Sequence, residues 1–600
     1  MKKLILDWCP GDSALLPGIK DANKTADCHT EAIDGVFDAY VGDPYRYSYV
    51  SDYAEVYKAF KGYTDADRKG TLALFQSDVA NAKIDILVGK DATVLTARAT
   101  AFSTSSGEVL PSDCIKLSFL DYVINHDNKK KVYDVLGDSE RSFDAKSYGT
   151  LWVCVSTAPD TPAGVYTGKI LIEGGGTTLA FPYTVEVFPM DLSSADGTLT
   201  VDLWQYPYSS NRYYSGKTVL EYFGTDHNTS DKTSLRHVYL DDRYEAQLIE
   251  QIKLYAAAGG DVITATVVED PWGNQTTDPY PSMVKWTKGK GGTWSFDYTD
   301  LDKWVQLNLD HGVNGKIKCY SPAVWDPKLI FLLESNNRVY STELEIGSDA
   351  WKNAWTAFLK DFMAHVKEKG WFDLVYLAMD ERSESVIKEV CDLVHSVTDE
   401  NGQCFKMAMA VNRLHAEKFF DRFDDLSVSS SQFNQPNMGA IVQHRVDVGL
   451  STTFYTCGAT AGALTNEPYD TLDFFYRLYQ KGANGYLRWA LDAFTDQPLV
   501  DTYHWKFVAG DESLIYPDRL TDGVMTVQSS VRFQILIESY RKLCALEVLQ
   551  SLSSAAKEKV NSLKTAYAVD NTDVPSRVGQ MERDIYALAS ELFTSGQASN

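Results

Sequence analysis

Two adjacent acids, Asp380 and Glu381, directly follow the apolar run 374–379. Carboxylates beside a buried strand are costly unless they face an open cavity, so their position indicates a functional site. Neighbouring acids can differ in pKa, which lets one hold a proton while the other carries charge. Cleavage of a glycosidic bond requires both forms. A structural alternative is that Asp380 caps a helix near Ser385 while Glu381 interacts with the helix dipole.

Other motifs with known chemistry are weak or absent. The acid pair at 269–270 precedes Pro271 and Trp272, which favours a structural role in a substrate loop. The sequence has no H-E-x-x-H or G-x-S-x-G motif, and its histidines do not cluster at metal-ligand spacing. Its nine cysteines contain no C-x-x-C pair. We therefore predict neither a metal nor a cofactor.

The elements that must position these acids alternate between strands and helices. Apolar, β-branched runs occur at 200–206, 261–269, 316–322, 374–380, 406–412, 425–431, 451–457 and 485–491. Helical periodicity lies between them at 243–258, 349–369, 385–397 and 469–482. Eight such strands predict a parallel (β/α)8 barrel of the TIM type over residues 196–525. An open doubly wound sheet is the alternative, but no Gly-rich phosphate loop accompanies it.

The segments on either side of the predicted barrel have a different pattern. Residues 1–195 contain short alternating runs separated by Gly and Pro turns, which predicts an all-β sandwich domain. Residues 526–600 are helical, with amphipathic stretches at 531–549 and 582–592 that we expect to pack on the barrel. The predicted fold class is therefore α/β with an all-β N-terminal part.

Active sites of such barrels lie at the carboxyl ends of the strands. Five polar or aromatic residues end predicted strands or follow them closely and are candidates for substrate binding: Trp204, Trp325, Asn412, Tyr455 and Trp489. A rim of aromatic rings and carboxylates suits a pyranose, whose C–H faces stack on rings. It offers little to a phosphate group.

Charge and hydropathy limit the possible partners. The net charge of −25 argues against nucleic acid and anionic membrane surfaces. No apolar stretch has the length of a membrane span. The N-terminal apolar run stops at Asp7, which is too short for an export signal. The chain as written is expected to be cytoplasmic, or periplasmic or secreted if a signal has been removed. Oligomeric state is not predicted.

Several of these stretches resemble glycoside hydrolase family 123, the β-N-acetylgalactosaminidases. They are PAGVYTG at 162–168, VEDPWG at 268–273, PSMVKW at 281–286, KCYS at 318–321, MDER at 379–382 and GYLRWA at 485–490. The resemblance implies a retaining mechanism in which the substrate's own acetamido group attacks the anomeric carbon. Asp380 would orient that group, and Glu381 would protonate the leaving oxygen and then activate water.

Position at the strand ends makes Trp489, Tyr455 and Trp325 the candidates for the sugar platform and acetamido pocket. The resemblance suggests that Asp511 would bind a sugar hydroxyl. Glu512 stands where the family usually has Gly, which is a departure beside Asp511. The alternatives are a hexosaminidase for another β-linked 2-acetamido sugar, a non-catalytic glycan-binding barrel and an accessory surface protein.

Overall fold

The computed structural model describes residues 32–225, 236–273, 275–517, 527–570 and 572–594. The short apolar run after Met1 discussed above lies outside these ranges, as does the end of the predicted helical segment from residue 595. None of the described helices is long and apolar enough to cross a membrane.

Eight parallel strands in the described chain form the central sheet. They are β1 (Thr200–Leu203), β2 (Val262–Thr266), β3 (Lys316–Tyr320), β4 (Val375–Asp380), β5 (Lys406–Val411), β6 (Asp425–Ser429), β7 (Ser451–Thr456) and β8 (Gly485–Arg488). Hydrogen bonding joins them in the order β1–β8–β7–β6–β5–β4–β3–β2. A single parallel bridge between Val201 and Gly260 brings β1 beside β2. The barrel is therefore nearly closed, consistent with the predicted TIM type.

All eight predicted strands are present, and they end up to three residues earlier than the apolar runs suggested. The residues beyond the strand ends turn into loops, where their side chains enter the site. The predicted helices are confirmed as Glu245–Ala257, Asp349–Glu368, Glu384–Ser396 and Tyr469–Gln480. The helices at Pro207–Ser215, Val219–Phe223, Thr299–Asp310 and Met438–Asp447 were not predicted.

The loops after β2 and β3 build a second, four-stranded sheet that the sequence did not reveal. Its strands are Lys285–Lys288, Trp294–Asp297, Lys328–Leu333 and Arg338–Glu343. The first two pair antiparallel across the glycines at 289, 291 and 292. These long insertions follow the strands at the carboxyl end of the barrel, so they can only extend the face that carries the acid pair.

The N-terminal part contains two sheets that share one apolar core. One sheet has strands Phe37–Gly42, Val79–Val88, Tyr148–Ser156, Ile115–Ile124, Lys131–Leu136 and Ser48–Tyr49 in that order. The other has Glu140–Phe143, Thr93–Ala99, Gly164–Gly174, Thr177–Asp191 and Gly70–Gln76, with Phe102–Ser103 and Val109–Leu110 at its side. Buried residues of both sheets, such as Ile84 and Ile170, belong to one cluster. A β-rich N-terminal part is therefore confirmed, together with a short helix, Tyr53–Phe60.

Three helices complete the described chain: Val531–Ser551, Ser554–Val569 and Val574–Thr594. The first is buried on nearly all sides, including polar residues such as Glu538, so it is not the amphipathic surface helix that its sequence suggested. Tyr45 and Asn81 of the N-terminal part both donate hydrogen bonds to Glu538, at 2.6 and 2.8 Å. This helix therefore connects the N-terminal sheets with the barrel. The proposed boundaries at 195/196 and 525/526 remain predictions.

A buried ion-pair network fills part of the barrel. Lys318 of β3 places its Nζ 2.7 Å from Asp202 of β1 and 3.1 Å from Asp425 of β6. All three side chains are at most 2% exposed. Lys318 thus pairs with carboxylates on two other strands, and Lys316 supplies a second cation to Asp425 at 2.6 Å. The network links strands that are not adjacent in the sheet.

Replacing Lys318 with methionine is expected to lower the free energy of unfolding by about 3–5 kcal/mol, because buried Asp202 would lose its cation. Asp425 would keep Lys316, whose Nζ lies 2.6 Å from it. Urea unfolding of the full chain, followed by tryptophan fluorescence, measures this change. Lys253→Met is the matched control, since Lys253 is about half exposed and forms a surface ion pair with Glu250. A loss for Lys318→Met no larger than that of the control would contradict the assignment.

Candidate active site

The backbone changes direction between the two acids at the end of β4. Asp380 is the last residue of the strand, and the Glu381 N–H donates to the Ala410 carbonyl of β5 at 2.9 Å. The following helix, Glu384–Ser396, has Ser383 at its N-cap. Capping by Asp380 near Ser385, the structural alternative considered above, is therefore wrong. Both acids precede the helix and are available for another role.

Two acids at the carboxyl ends of barrel strands adopt left-handed backbone conformations. Glu381 has φ of 44° and Asp270, in the loop after β2, has φ of 45°. The other described non-glycine residues with positive φ lie outside the barrel strands and their immediate ends: Ser77, Lys129, Lys146 and Asn337. Such conformations cost about 1–3 kcal/mol and are concentrated at functional sites. The pattern singles out this face of the barrel.

Glu381 is held by two donors from other strands. The Tyr455 hydroxyl, from β7, donates to Glu381 Oε1. Asn412, just after β5, donates from Nδ2 to Oε2 at 2.7 Å. Both carboxylate oxygens are thus oriented by groups that the fold fixes. The structure brings together Glu381, Asn412 and Tyr455, which the sequence singled out separately.

Asp380 has a different environment. It is 8% exposed, and Trp325 Nε1 donates to its Oδ2 at 3.3 Å. Burial raises the pKa of Asp380 to about 7, assisted by repulsion from Glu381 and opposed by Arg382. The Arg382 guanidinium lies 4.6 Å from the centre of the Trp325 ring and donates from Nε to the Ala323 carbonyl at 2.9 Å. At neutral pH this acid can therefore exchange a proton, as acid–base catalysis requires.

Aromatic residues cluster at the same end of the barrel as the two acids. Trp204 is 2% exposed and lies 4.9 Å from Trp272 and 4.8 Å from Tyr320, measured between ring centres. Trp489 is 6% exposed and packs 4.7 Å from Phe507. Trp325 is 40% exposed and forms part of the open rim. Trp204 and Trp489, which directly follow β1 and β8, are thus buried at the carboxyl end of the barrel, here called the cup, whereas Trp325 is accessible from solvent.

Asp511 lies deeper than its proposed role requires. It is fully buried, forms a 2.9 Å ion pair with Arg488 and accepts the Gly458 N–H at 2.8 Å. Arg488 in turn donates to Thr456 Oγ1 at 3.1 Å and to the Ala461 carbonyl at 2.9 Å. Direct binding of a sugar hydroxyl by Asp511 therefore finds no support in this arrangement. Its contacts instead connect the ends of β7 and β8.

Several residues at this end of the barrel were placed at strand ends by the sequence but were given no role in the site. Asp492, after β8, is 2% exposed and accepts the Tyr206 N–H at 2.7 Å, and burial raises its pKa to about 7. The Tyr206 hydroxyl donates to the Trp489 carbonyl at 2.9 Å. Tyr206, Trp272, Tyr320 and Asp492 all follow or end barrel strands. That shared position was the available signal, but it does not separate residues of the site from residues that pack beside it.

No group of three or more His, Cys, Asp or Glu side chains in the described ranges could hold a metal ion. Two pockets, of about 330 and 250 Å³, lie elsewhere: one beside His395 and Arg422, the other beside Arg477 and Arg577. The acid pair belongs to neither. The candidate site is consequently defined by its converging hydrogen bonds rather than by the size of a cavity.

Comparison with known proteins agrees with this geometry. The family model for the glycoside hydrolase 123 catalytic domain matches residues 235–549. The structure resembles a family 123 glycoside hydrolase from Clostridium perfringens, whose description concerns glycolipid glycan hydrolysis. The TM-score is 0.84 at 25% identity, over 94% of this chain and 100% of that one. A search of curated proteins gives no significant match.

Weaker likenesses involve other glycosidases. A Vibrio harveyi family 20 exo-β-N-acetylglucosaminidase has 9% identity and a TM-score of 0.20, over 64% of this chain and 80% of that one. A Bacteroides uniformis β-glucuronidase has 9% identity and a TM-score of 0.26, over 74% and 47%. These scores are too low to support an inference. The family match over more than half of the chain, together with the Clostridium structure, confirms that the protein belongs to glycoside hydrolase family 123.

Proposed function

We propose that this glycoside hydrolase releases terminal β-linked N-acetylgalactosamine with retention of configuration, by substrate-assisted catalysis. The observation that carries the proposal is the pair of adjacent acids with separate partners, Trp325 for Asp380 and Tyr455 with Asn412 for Glu381. Two neighbouring carboxyls suit a reaction in which the nucleophile comes from the substrate, because neither must reach the opposite face of the sugar. Distance rules for enzymes with a protein nucleophile do not apply to this mechanism.

In the first step, the acetamido carbonyl oxygen bonds to the anomeric carbon while the glycosidic C–O bond breaks. The bond's electron pair stays on the leaving oxygen, which takes a proton from Glu381. The resulting oxazolinium ion is positively charged, and Asp380 stabilises it while accepting a hydrogen bond from its N–H. In the second step, Glu381 removes a proton from water, whose oxygen bonds to the anomeric carbon. The bond from that carbon to the amide oxygen breaks, and its electron pair restores the neutral acetamido group.

The location of the proton follows from what each acid contacts. In the free protein, burial and the charge of Glu381 favour the protonated form of Asp380. A bound acetamido N–H would donate to Asp380 and stabilise its charged form, which leaves Glu381 as the proton carrier. Substrate binding thereby prepares the pair for the first step.

The pH dependence of kcat/KM should report this proton. The raised pKa of Asp380, about 7, means that the pair keeps its proton below that pH and loses it above. Because bond cleavage consumes that proton, kcat/KM is expected to fall above about pH 7 with an apparent pKa that belongs to the pair. Initial rates measured between about pH 5 and pH 9 test this expected fall in kcat/KM. Undiminished kcat/KM two units above neutrality would contradict it.

The remaining candidates receive roles in the same proposal. Trp325 and Trp489 would contact the sugar, and Trp204 would support the floor beneath it. Tyr455 and Asn412 would position Glu381 and border the acetamido pocket. Asp511 would act through Arg488 as a positioning residue. A glycolipid glycan is the proposed substrate source, since hydrolysis of such glycans is described for the Clostridium relative.

The decisive experiment compares 4-nitrophenyl β-glycosides of N-acetylgalactosamine, N-acetylglucosamine and galactose. We expect the first to be cleaved fastest, the galactoside not to be cleaved, and a thiazoline analogue of the intermediate to inhibit. Preference for the glucosamine derivative would favour a hexosaminidase of different sugar specificity. Efficient cleavage of the galactoside would exclude participation of an acetamido group. Binding of these sugars without turnover would instead favour a glycan-binding barrel.

A further inference from the structure

The loop after β8 displays two aromatic side chains to solvent. Tyr503 is 59% exposed and Trp505 is 56% exposed, more than any other aromatic side chain of the described chain. Between them, His504 is 4% exposed and points inward. A loop normally turns its aromatic residues inward and its polar residues outward. The reversed arrangement marks this surface as a binding site.

The buried histidine fixes the shape of this loop. Its Nδ1 accepts the N–H groups of Lys506 at 3.1 Å and Phe507 at 3.2 Å, and lies 3.4 Å from Glu512 Oε1. Its ring centre is 5.3 Å from that of Phe507, which packs 4.7 Å from Trp489 in the cup. Trp505 is therefore connected through the rings of His504 and Phe507 to Trp489 at the carboxyl end of the barrel.

The N-terminal part of the chain holds the same loop from its other side. Ile124 accepts the Thr502 N–H at 3.2 Å and donates its own N–H to Val500 at 3.0 Å. Asp127 accepts the Ala509 N–H at 2.8 Å. The backbone is thus anchored before and after the aromatic pair, so a ligand could bind both rings with little ordering of the loop.

We propose that Tyr503 and Trp505 bind the sugars on the leaving-group side of the scissile bond. This inference rests on the proposed function and adds that the natural substrate is an oligosaccharide. Successive ring-centre separations of 4.7, 5.3 and 5.4 Å lead from Trp489 through Phe507 and His504 to Trp505.

The chemistry of the surface favours a glycan over a lipid membrane or a protein. Pyranose rings present C–H faces that stack on exposed tyrosine and tryptophan rings. The net charge of −25 would repel an anionic membrane, whereas a neutral sugar is unaffected. The ring contacts from Trp505 to Trp489 also connect this surface with the carboxyl end of the barrel, where the acid pair lies.

The test compares two substrates that share the same terminal 2-acetamido sugar, a methyl glycoside and an oligosaccharide. In the double variant Tyr503→Ala/Trp505→Ala, the ratio of kcat/KM for the oligosaccharide to that for the methyl glycoside should fall about 10-fold, through loss of two stacking contacts. Tyr63→Ala, which removes an exposed ring in the N-terminal part, serves as the control and should preserve the ratio. An unchanged ratio in the double variant would overturn the proposal.

A binding measurement separates the possible occupants. Calorimetry with Glu381→Gln, with and without the two aromatic substitutions, should show weaker oligosaccharide binding when the rings are absent. Vesicles of neutral lipid without glycan headgroups should not bind, and binding that depended on the rings would overturn the sugar assignment. If the wild type cleaves no 2-acetamido glycoside, the proposed function fails. The inference fails separately if the wild type and the double variant give the same ratio of kcat/KM for the longer glycoside to kcat/KM for the shorter one, whichever terminal sugar is cleaved.

Discussion

Replacing Glu381 with glutamine is expected to lower kcat/KM for a methyl glycoside at least about 100-fold, in line with the contribution of a general acid. Glutamine has nearly the same shape but cannot give a proton to the departing oxygen. Its side-chain NH2 would also face Tyr455 or Asn412, both of which donate to Glu381. Steady-state kinetics on the purified variant, with circular dichroism to verify folding, measures the effect.

The leaving group provides an internal check on that result. An aryl glycoside whose phenol is strongly acidic needs little protonation, so glutamine at this position should cost much less with that substrate. Glu384→Gln is the matched control, because Glu384 lies three residues further on and pairs with Lys418. An equal loss with both aglycones would indicate general damage to the site and would remove the case for Glu381 as the acid.

The barrel was predictable because its strands are short, apolar and β-branched, and because all eight were separated by helical or loop segments. The acid pair was predictable from its place directly after one of those runs. Strand ends were less accurate, since Trp204 and Trp489 continue the apolar pattern after the backbone has left the sheet. Local pattern cannot distinguish an apolar residue that ends a strand from one that lines a cup.

Structural features that depend on residues distant in the sequence could not be predicted from local sequence pattern. Asp511 looked like a loop acid, and its burial follows from the ion pair with Arg488, 23 positions earlier. The inward orientation of His504 likewise depends on the backbone N–H groups that it accepts and on packing against Phe507. The helix Val531–Ser551 is buried on nearly all sides because the N-terminal sheets and the helices Tyr469–Gln480 and Ser554–Val569 all pack on it. Each of these required the tertiary structure.

Replacing Asp380 with asparagine is expected to lower kcat/KM for the 2-acetamido substrate at least about 100-fold, by the same order as loss of the general acid. Asparagine can accept the acetamido N–H but carries no negative charge to stabilise the oxazolinium ion. The thiazoline analogue, which resembles that ion, should bind correspondingly more weakly. Kinetics and inhibition constants on the same preparation measure both effects.

This variant distinguishes the proposed role from a structural one. Asp380 contributes the group whose pKa is near 7, so its replacement should also move the fall in kcat/KM away from neutral pH. Asp373→Asn is the matched control, since that aspartate is exposed just before β4. A structural role would lower activity without changing the pH profile or the relative affinity for the thiazoline. Loss of activity with both readouts unchanged would therefore place Asp380 in the framework of the site, and another group would have to carry the charge.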